Sequence, residues 1–147
     1  MEVVIRRASA EDIPAVHAIE VRAFPTPWRR EFFEGELQAA GRFNLVAVRD
    51  ATVVGYLFAM YILDEMHINK IAVAEEERRR GIAARLMDEC LRFARRTGMA
   101  TISLEVRRSN SGAQEFYRRL DFKPVYMRPR YYPDGEAAVV MARDLMR

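Results

Sequence analysis

Residues 71–83, Ile71-Ala72-Val73, then Ala74-Glu75-Glu76-Glu77-Arg78-Arg79-Arg80, then Gly81-Ile82-Ala83, read as the end of a strand, a polar loop and the start of a helix. Past the glycine, Ile82, Leu86, Cys90 and Phe93 or Ala94 recur at helical spacing, with Met87 and Leu91 beside them. Gly98 stands where a helix-ending glycine belongs. The first turn of a helix has backbone N–H groups without partners and carries partial positive charge, so it can seat a pyrophosphate. Gly81 would let a phosphate approach the backbone, and the arginines before it would add charge. The plainer reading is that Gly81 only breaks the loop and the arginines are solvated. No Gly-Lys-Ser/Thr follows, which excludes a nucleotide P-loop, and the spaced glycines of a dinucleotide fingerprint are missing.

Working outward, Val3-Val4-Ile5 opens a short strand. Ser9 caps a helix, with Asp12 in capping-box position and Ile13, Val16, Ile19 and Val21 in mostly helical spacing. Phe24-Pro25-Thr26-Pro27-Trp28 breaks it, and a second helix runs to about Gly41. Residues 43–49 and 52–63 are expected as strands joined by a tight turn at Asp50-Ala51, followed by a strand from His67 to Val73. Beyond the long helix, Thr101 to Arg107 alternates: Ile102, Leu104 and Val106 on one face, Thr101, Ser103, Glu105 and Arg107 on the other. Asn110 caps a short helix holding Ala113, Phe116, Tyr117 and Leu120, and two last strands flank Pro133-Asp134-Gly135. The expected class is α/β: one domain over residues 1–147, a mixed sheet covered by four helices.

Composition narrows the function. A chain of 147 residues, half hydrophobic and 31% charged, closes a core and is not disordered. Its longest apolar run, Val53 to Leu63, is short for a membrane span. The opening MEVVIRR lacks a signal-peptide pattern, so a cytoplasmic protein is expected. One cysteine and two distant histidines offer no disulfide framework and no metal-ligand spacing. Of the 24 basic residues only Lys70 and Lys123 are lysine, and the arginines are scattered. That dispersal argues against a dedicated nucleic-acid reader, which gathers its charge in one stripe.

Four ordered segments together resemble the GNAT family of N-acetyltransferases over nearly the whole chain. Arg78-Arg79-Arg80-Gly81-Ile82-Ala83 matches the family's Arg/Gln-x-x-Gly-x-Gly/Ala acetyl-CoA motif, with Ala83 in its second small position. FPTPW at 24–28, LEVRRSNSGAQEFYRRLDF at 104–122 and YYPDGEAAVVMA at 131–142 look like the subgroup of ribosomal-protein alanine N-acetyltransferases, with archaeal N-terminal acetyltransferases near it. The resemblance implies a mostly antiparallel sheet splayed near its middle, with acetyl-CoA in the gap and no metal. It places backbone groups of Ile71, Ala72 and Val73 along the pantetheine arm. Arg79, Arg80, Gly81, Ile82, Ala83 and Ala84 would lie around the pyrophosphate, and Asn110 against the cofactor. Glu105 matches the subgroup's general base and Tyr117 its proton donor.

The residues bear on these roles independently. An N-terminal amine is mostly protonated at neutral pH and must lose a proton before attacking a thioester, which a carboxylate can accept. Glu105 lies on the polar face of its strand, where an ordinary surface glutamate would also lie. Tyr117 shares a core-like stripe with Phe116 and Leu120. Cys90, the rival nucleophile for a covalent route, sits mid-helix on the apolar stripe with nothing nearby to lower its pKa. His17 and His67 read as structural, although a histidine at a strand start can line a cleft. A cationic acceptor peptide calls for carboxylates, and Glu36, Asp64, Glu65, Asp134 and Glu136 fall in segments the family places around the acceptor groove. Trp28, Tyr131 and Tyr132 would form its apolar walls. The leading expectation is direct acetyl transfer to the α-amine of a ribosomal protein beginning with alanine. The rivals are a small amine as acceptor, and a non-catalytic module that binds CoA or ribosomal RNA.

Overall fold

The computed structural model describes residues 2–146. Seven strands form one open sheet: β1 (Val3–Arg7), β2 (Arg42–Arg49), β3 (Thr52–Ile62), β4 (Glu65–Val73), β5 (Thr101–Arg107), β6 (Lys123–Arg128) and β7 (Ala138–Asp144). Their order is β1-β2-β3-β4-β5-β7-β6, and only β4 and β5 pair in parallel. Helices α1 (Ile13–Ala23) and α2 (Arg30–Gln38) cover one face around Val16, Phe33, Val46, Tyr56 and Phe58. On the other face lie α3 (Ile82–Arg96) and α4 (Ser111–Arg119), over a core that includes Leu57, Ile68, Leu86, Leu104 and Phe122. The chain is therefore α/β with four helices and a mixed, mostly antiparallel sheet.

Local chemistry accounts for the element ends. The Ser9 N–H donates to Asp12 Oδ2 at 2.8 Å, but this pair closes a single 3₁₀ turn, and α1 begins at Ile13, with Pro14 in its first turn. The second helix stops at Gln38, short of the expected Gly41. The stripe of α3 is buried as its spacing predicts: Ile82, Leu86, Met87, Cys90, Leu91, Phe93 and Ala94. Each large apolar side chain so buried contributes about 1.5–3 kcal/mol. At the end of α3, Gly98 takes φ +78° while its N–H bonds to Arg95 O and that of Met99 to Ala94 O, a Schellman closure.

Two features of β4 position the site. Its pairing with β5 runs only from Glu65↔Thr101 to Ile68↔Leu104, after which the strands part. Against β3 the register jumps from Phe58↔Lys70 to Ala59↔Ile68, leaving Asn69 as an extra, unpaired residue. A bulge of one residue reverses which face each later side chain takes. Met66 and Ile68 point to the α3 face before it; beyond it Ile71 and Val73 do, while Ala72 and Ala74 meet the α1–α2 layer.

Candidate active site

Where β4 and β5 part, a cleft of about 790 Å³ opens. One wall is β4 from His67 to Ile71, the other is Leu104 to Arg107 of β5 with Asn110, Ala113 and Tyr117 from α4. The 23–28 segment, which includes Phe24 and Trp28, and Tyr131-Tyr132-Pro133 complete its lining.

Glu105 sits in the cleft wall with its side chain 13% exposed. His67 Nε2 lies 2.9 Å from Glu105 Oε1, and His67 Nδ1 lies 2.8 Å from Ser103 Oγ. The imidazole donates Nε2–H to the carboxylate, and its Nδ1 shares a hydrogen bond with the Ser103 hydroxyl. Arg128 Nε approaches the other carboxylate oxygen at 3.4 Å. Burial works to raise the Glu105 carboxyl, but the His67 hydrogen bond and charge, Arg128 and the Tyr131 hydroxyl together hold it below the ordinary carboxylate value. The group is thus ionised at neutral pH. His67, read from the sequence as mainly structural, lines the cleft and orients this carboxylate. A spacing of 38 residues hid the contact.

Tyr117 is buried in the α3-side core, as its stripe suggests, and also borders the cleft. Burial, and then the neighbouring Tyr132, push its phenol well above the usual value, so its proton stays in place at neutral pH. Tyr132 is raised to about 12, by burial first and Glu105 next. The residues expected as apolar walls, Trp28, Tyr131 and Tyr132, all line the cleft.

The loop after β4 suits an anion by its backbone. Arg79 at φ +68° and Gly81 at φ +78° are both left-handed, Gly81 caps α3, and a Cβ on Gly81 would meet no atom within 4 Å. The Arg85 N–H is the first to find a helical acceptor, Gly81 O at 3.1 Å. The N–H groups of Ile82, Ala83 and Ala84 therefore precede the hydrogen-bonded ladder. The side chain of Ile82 is core, so only its backbone can serve a ligand, while Arg79 and Arg80 are exposed. Ile71 and Asn110 line the cleft itself; Ala72 and Val73 pack their side chains into the two cores. Asn110 also caps α4, accepting the Ala113 N–H at 3.1 Å. Along β4, past Ile68, the strand has no β5 partner, leaving its backbone edge available to an amide-bearing arm. These features fit acetyl-CoA.

The carboxylates expected around a cationic acceptor are placed otherwise. Glu36 is spent on Arg42, 2.8 Å away. Asp64 and Glu65 lie at the β3–β4 turn, where β4 and β5 begin to pair, just outside the cleft lining, which starts at His67. Arg107 binds both Asp134 at 2.8 Å and Glu136 at 2.9 Å, and lies over the Tyr132 ring at 4.1 Å. Glu136 also takes the Ser109 N–H at 2.7 Å, and its carboxyl is lowered to about 2 by the Ser109 bonds and Arg107. These acids build the Tyr131–Glu136 loop, and none of the five borders the cleft. The sequence reading also missed Glu20 of α1. It is fully buried and accepts from the Trp28 N–H at 2.9 Å, the Tyr56 hydroxyl and Lys70 Nζ at 2.9 Å.

Residues 13–122 match the acetyltransferase (GNAT) family, and the chain belongs to that family. It is 34% identical to the [ribosomal protein bS18]-alanine N-acetyltransferase of Salmonella typhimurium, over 91% of this chain and 92% of that one. Identity is also 34% to an N-alpha-acetyltransferase of Saccharolobus solfataricus, over 96% and 92%. The crystal structure of the ribosomal-protein-S18-alanine N-acetyltransferase from Escherichia coli superposes with a TM-score of 0.93, at 30% identity, covering 99% of this chain and 96% of that one. The protein is an N-acetyltransferase, and acetyltransferases of this family draw the acetyl group from acetyl-CoA. No helix among the described residues is long and apolar enough to cross a membrane, and no metal-ligating cluster occurs among them.

Proposed function

We propose that this enzyme acetylates the α-amine of a protein N-terminus, that of a ribosomal protein beginning with alanine, by direct transfer within a ternary complex. The observation that carries the proposal is the Ser103–His67–Glu105 hydrogen-bonded chain, whose His67 and Glu105 line the cleft together with Trp28, Tyr131 and Tyr132. The relatives named for alanine N-acetylation support the choice of acceptor.

When bound, acetyl-CoA supplies an acetyl thioester; the amine nitrogen bonds to its carbonyl carbon and the C–S bond breaks. Glu105, ionised and held by His67, accepts the proton that the amine must lose. Tyr117, its proton retained by burial, donates to the departing sulfur from the α4 side of the cleft. The N–H groups at the start of α3, with Gly81, hold the pyrophosphate, and Arg79 and Arg80 add charge outside them. Ile71 and Asn110, which line the cleft, border the cofactor, and the backbone of Ala72 and Val73, past the last β5 pairing at Ile68, runs beside its arm. Recognition of the acceptor rests on Trp28, Tyr131 and Tyr132, because Glu36, Asp64, Glu65 and Asp134 are paired or stand apart from the cleft.

Incubation of an Ala-Arg-leading peptide with acetyl-CoA and enzyme, followed by mass spectrometry, tests this directly. Acetyl on the α-amine, absent with a blocked N-terminus, is expected. Transfer to a polyamine with none to the peptide would replace the proposed acceptor with a small amine.

A further inference from the structure

In a chain that uses arginine for all but two of its cations, one of the two lysines stands inside the cleft. Lys70 follows the Asn69 bulge, and the change of face produced there turns it toward α1. Its ammonium lies 2.9 Å from the buried Glu20 carboxylate, and 3.6 Å from the centre of the Phe24 ring. The other oxygen contacts of Glu20 reach the Trp28 N–H and the Tyr56 hydroxyl. One carboxylate thus joins α1, β3, β4 and the Phe24–Trp28 segment. The segment is also held by the Phe24 N–H, which donates to Glu20 O at 3.1 Å, and by the Trp28 ring, whose centre lies 4.5 Å from that of Phe32 and 5.2 Å from that of Phe33 on α2. Its two prolines lack N–H donors, so the bond from the Trp28 N–H to the Glu20 carboxylate is what fixes its far end to α1. A compact ammonium on a flexible stem can rest on a ring face and meet a carboxylate at once.

We infer that Lys70 and Glu20 are positioning residues for the acceptor: they tie the Phe24–Trp28 wall to β4 at the bulge and so set the width of the cleft. The inference rests on the reading of this cleft as an acceptor site. Glu20 does not border the cleft, so any effect it has on acceptor binding runs through the wall.

The test compares Lys70→Met and Glu20→Gln with the wild type in peptide kinetics, acetyl-CoA calorimetry and hydrogen–deuterium exchange. Both variants should raise the acceptor KM roughly ten-fold, because a wall misplaced by about an ångström costs that much or more. In Glu20→Gln, whose side chain lies outside the cleft, the kcat and the acetyl-CoA Kd should stay within about two-fold. Amide exchange should accelerate over residues 24–28 and not over 79–84. Unchanged exchange at 24–28 in either folded variant overturns the inference, as does a fall in kcat with KM intact. The wild type alone is decisive if both variants fail to fold. Its Trp28 amide, bonded to a fully buried carboxylate, must exchange as slowly as the core of α1, and fast exchange there overturns the tie. Should the wild type acetylate no peptide at all, the acceptor reading fails while the exchange data still decide whether Lys70 and Glu20 hold the wall.

Discussion

The two walls of the cleft are made of different material. On the β4 side, the groups suited to acetyl-CoA are backbone: an unpaired strand edge, two left-handed residues at 79 and 81, and the first N–H groups of α3. They come from one stretch of chain, residues 69–84. The groups around Glu105 and Arg107 of β5 are side chains brought together from far apart: His67 of β4 with Glu105, Arg128 with Glu105, Arg107 with Asp134 and Glu136. A backbone site is specified by local rules, by where a strand stops, a glycine turns and a helix starts. A side-chain site depends on the register between strands, which no short motif encodes. Binding and chemistry therefore fail separately when residues are changed.

Glu105→Gln should produce the largest loss. It keeps the shape of the side chain but removes the proton acceptor, so kcat should fall by about 10²–10⁴-fold. Calorimetry should find acetyl-CoA binding unchanged, because the backbone wall is intact. The pH profile sharpens the point. The Glu105 carboxyl lies below its ordinary value, so it gains a proton only at pH below the usual carboxylate range. Wild-type activity should accordingly rise through neutral pH and level off near the acceptor amine's own pKa, about 8. An inflection near neutrality that disappears in Glu105→Gln would assign the titration to the carboxylate and break this account.

Gly81→Glu attacks the opposite wall. The added side chain meets no protein atom, so its effects come from φ +78° and from a negative charge where pyrophosphate is proposed to lie. Loss of one or two hydrogen bonds to a charged group corresponds to about 10–100-fold in acetyl-CoA Kd. A folded Gly81→Glu protein with unchanged affinity would remove the loop from the cofactor site. Weaker still, Arg107→Met frees Asp134 and Glu136 and loosens the Tyr131–Glu136 loop. The acceptor KM should rise about ten-fold with acetyl-CoA binding unaffected. Its stability cost carries a pH signature. Glu136 is depressed in the folded state to about 2, first by Ser109 and next by Arg107. A depressed carboxyl stabilises the fold above its unfolded pKa of about 4.3, and that contribution fades as pH falls through the folded value. The gap in Tm between wild type and Arg107→Met should thus be full at neutral pH and narrow between about 4.3 and 2.

This contrast also explains what could be read in advance. The alternation of Thr101–Arg107, the stripe of α3 and the turn at Gly98 are local, and the fold shows each where the pattern put it. The α/β class and the four helices follow from such signals. The start of β4 at Glu65, two residues before His67, did not, because pairing with β3 and β5 extends a strand past its apolar run. The bulge at Asn69 left no mark in composition, yet it decides which way Lys70 faces. Carboxylates were the least legible. Glu36, Asp64, Glu65, Asp134 and Glu136 looked alike as polar surface residues, and only the tertiary structure distinguishes those paired with arginine from those just outside the cleft. Glu20, near the end of a helix whose other buried residues are Ile13, Val16 and Ile19, was a sequence signal of a buried network that went unused.

Cys90→Ala should have the smallest effect on turnover, and it decides whether chemistry belongs to the cleft at all. A covalent route would need a thiolate at Cys90 within reach of both acetyl-CoA and acceptor. The thiol is fully buried among α3 side chains, with Met66 Sδ 4.0 Å away, and burial lifts it to about 12. At neutral pH almost none of it is ionised, so it neither attacks a thioester nor binds a soft metal. Removing the sulfur leaves a small void and should cost about 1–3 kcal/mol, read as a lower Tm, while kcat stays close to wild type. The two readouts separate a packing residue from a nucleophile, since a nucleophile would lose kcat without regard to Tm. Isolation of an acetyl-Cys90 enzyme that passes its acetyl group to peptide would move the reaction from the cleft wall into the core of α3. In that case Glu105 and His67 would be relaying protons for a different bond.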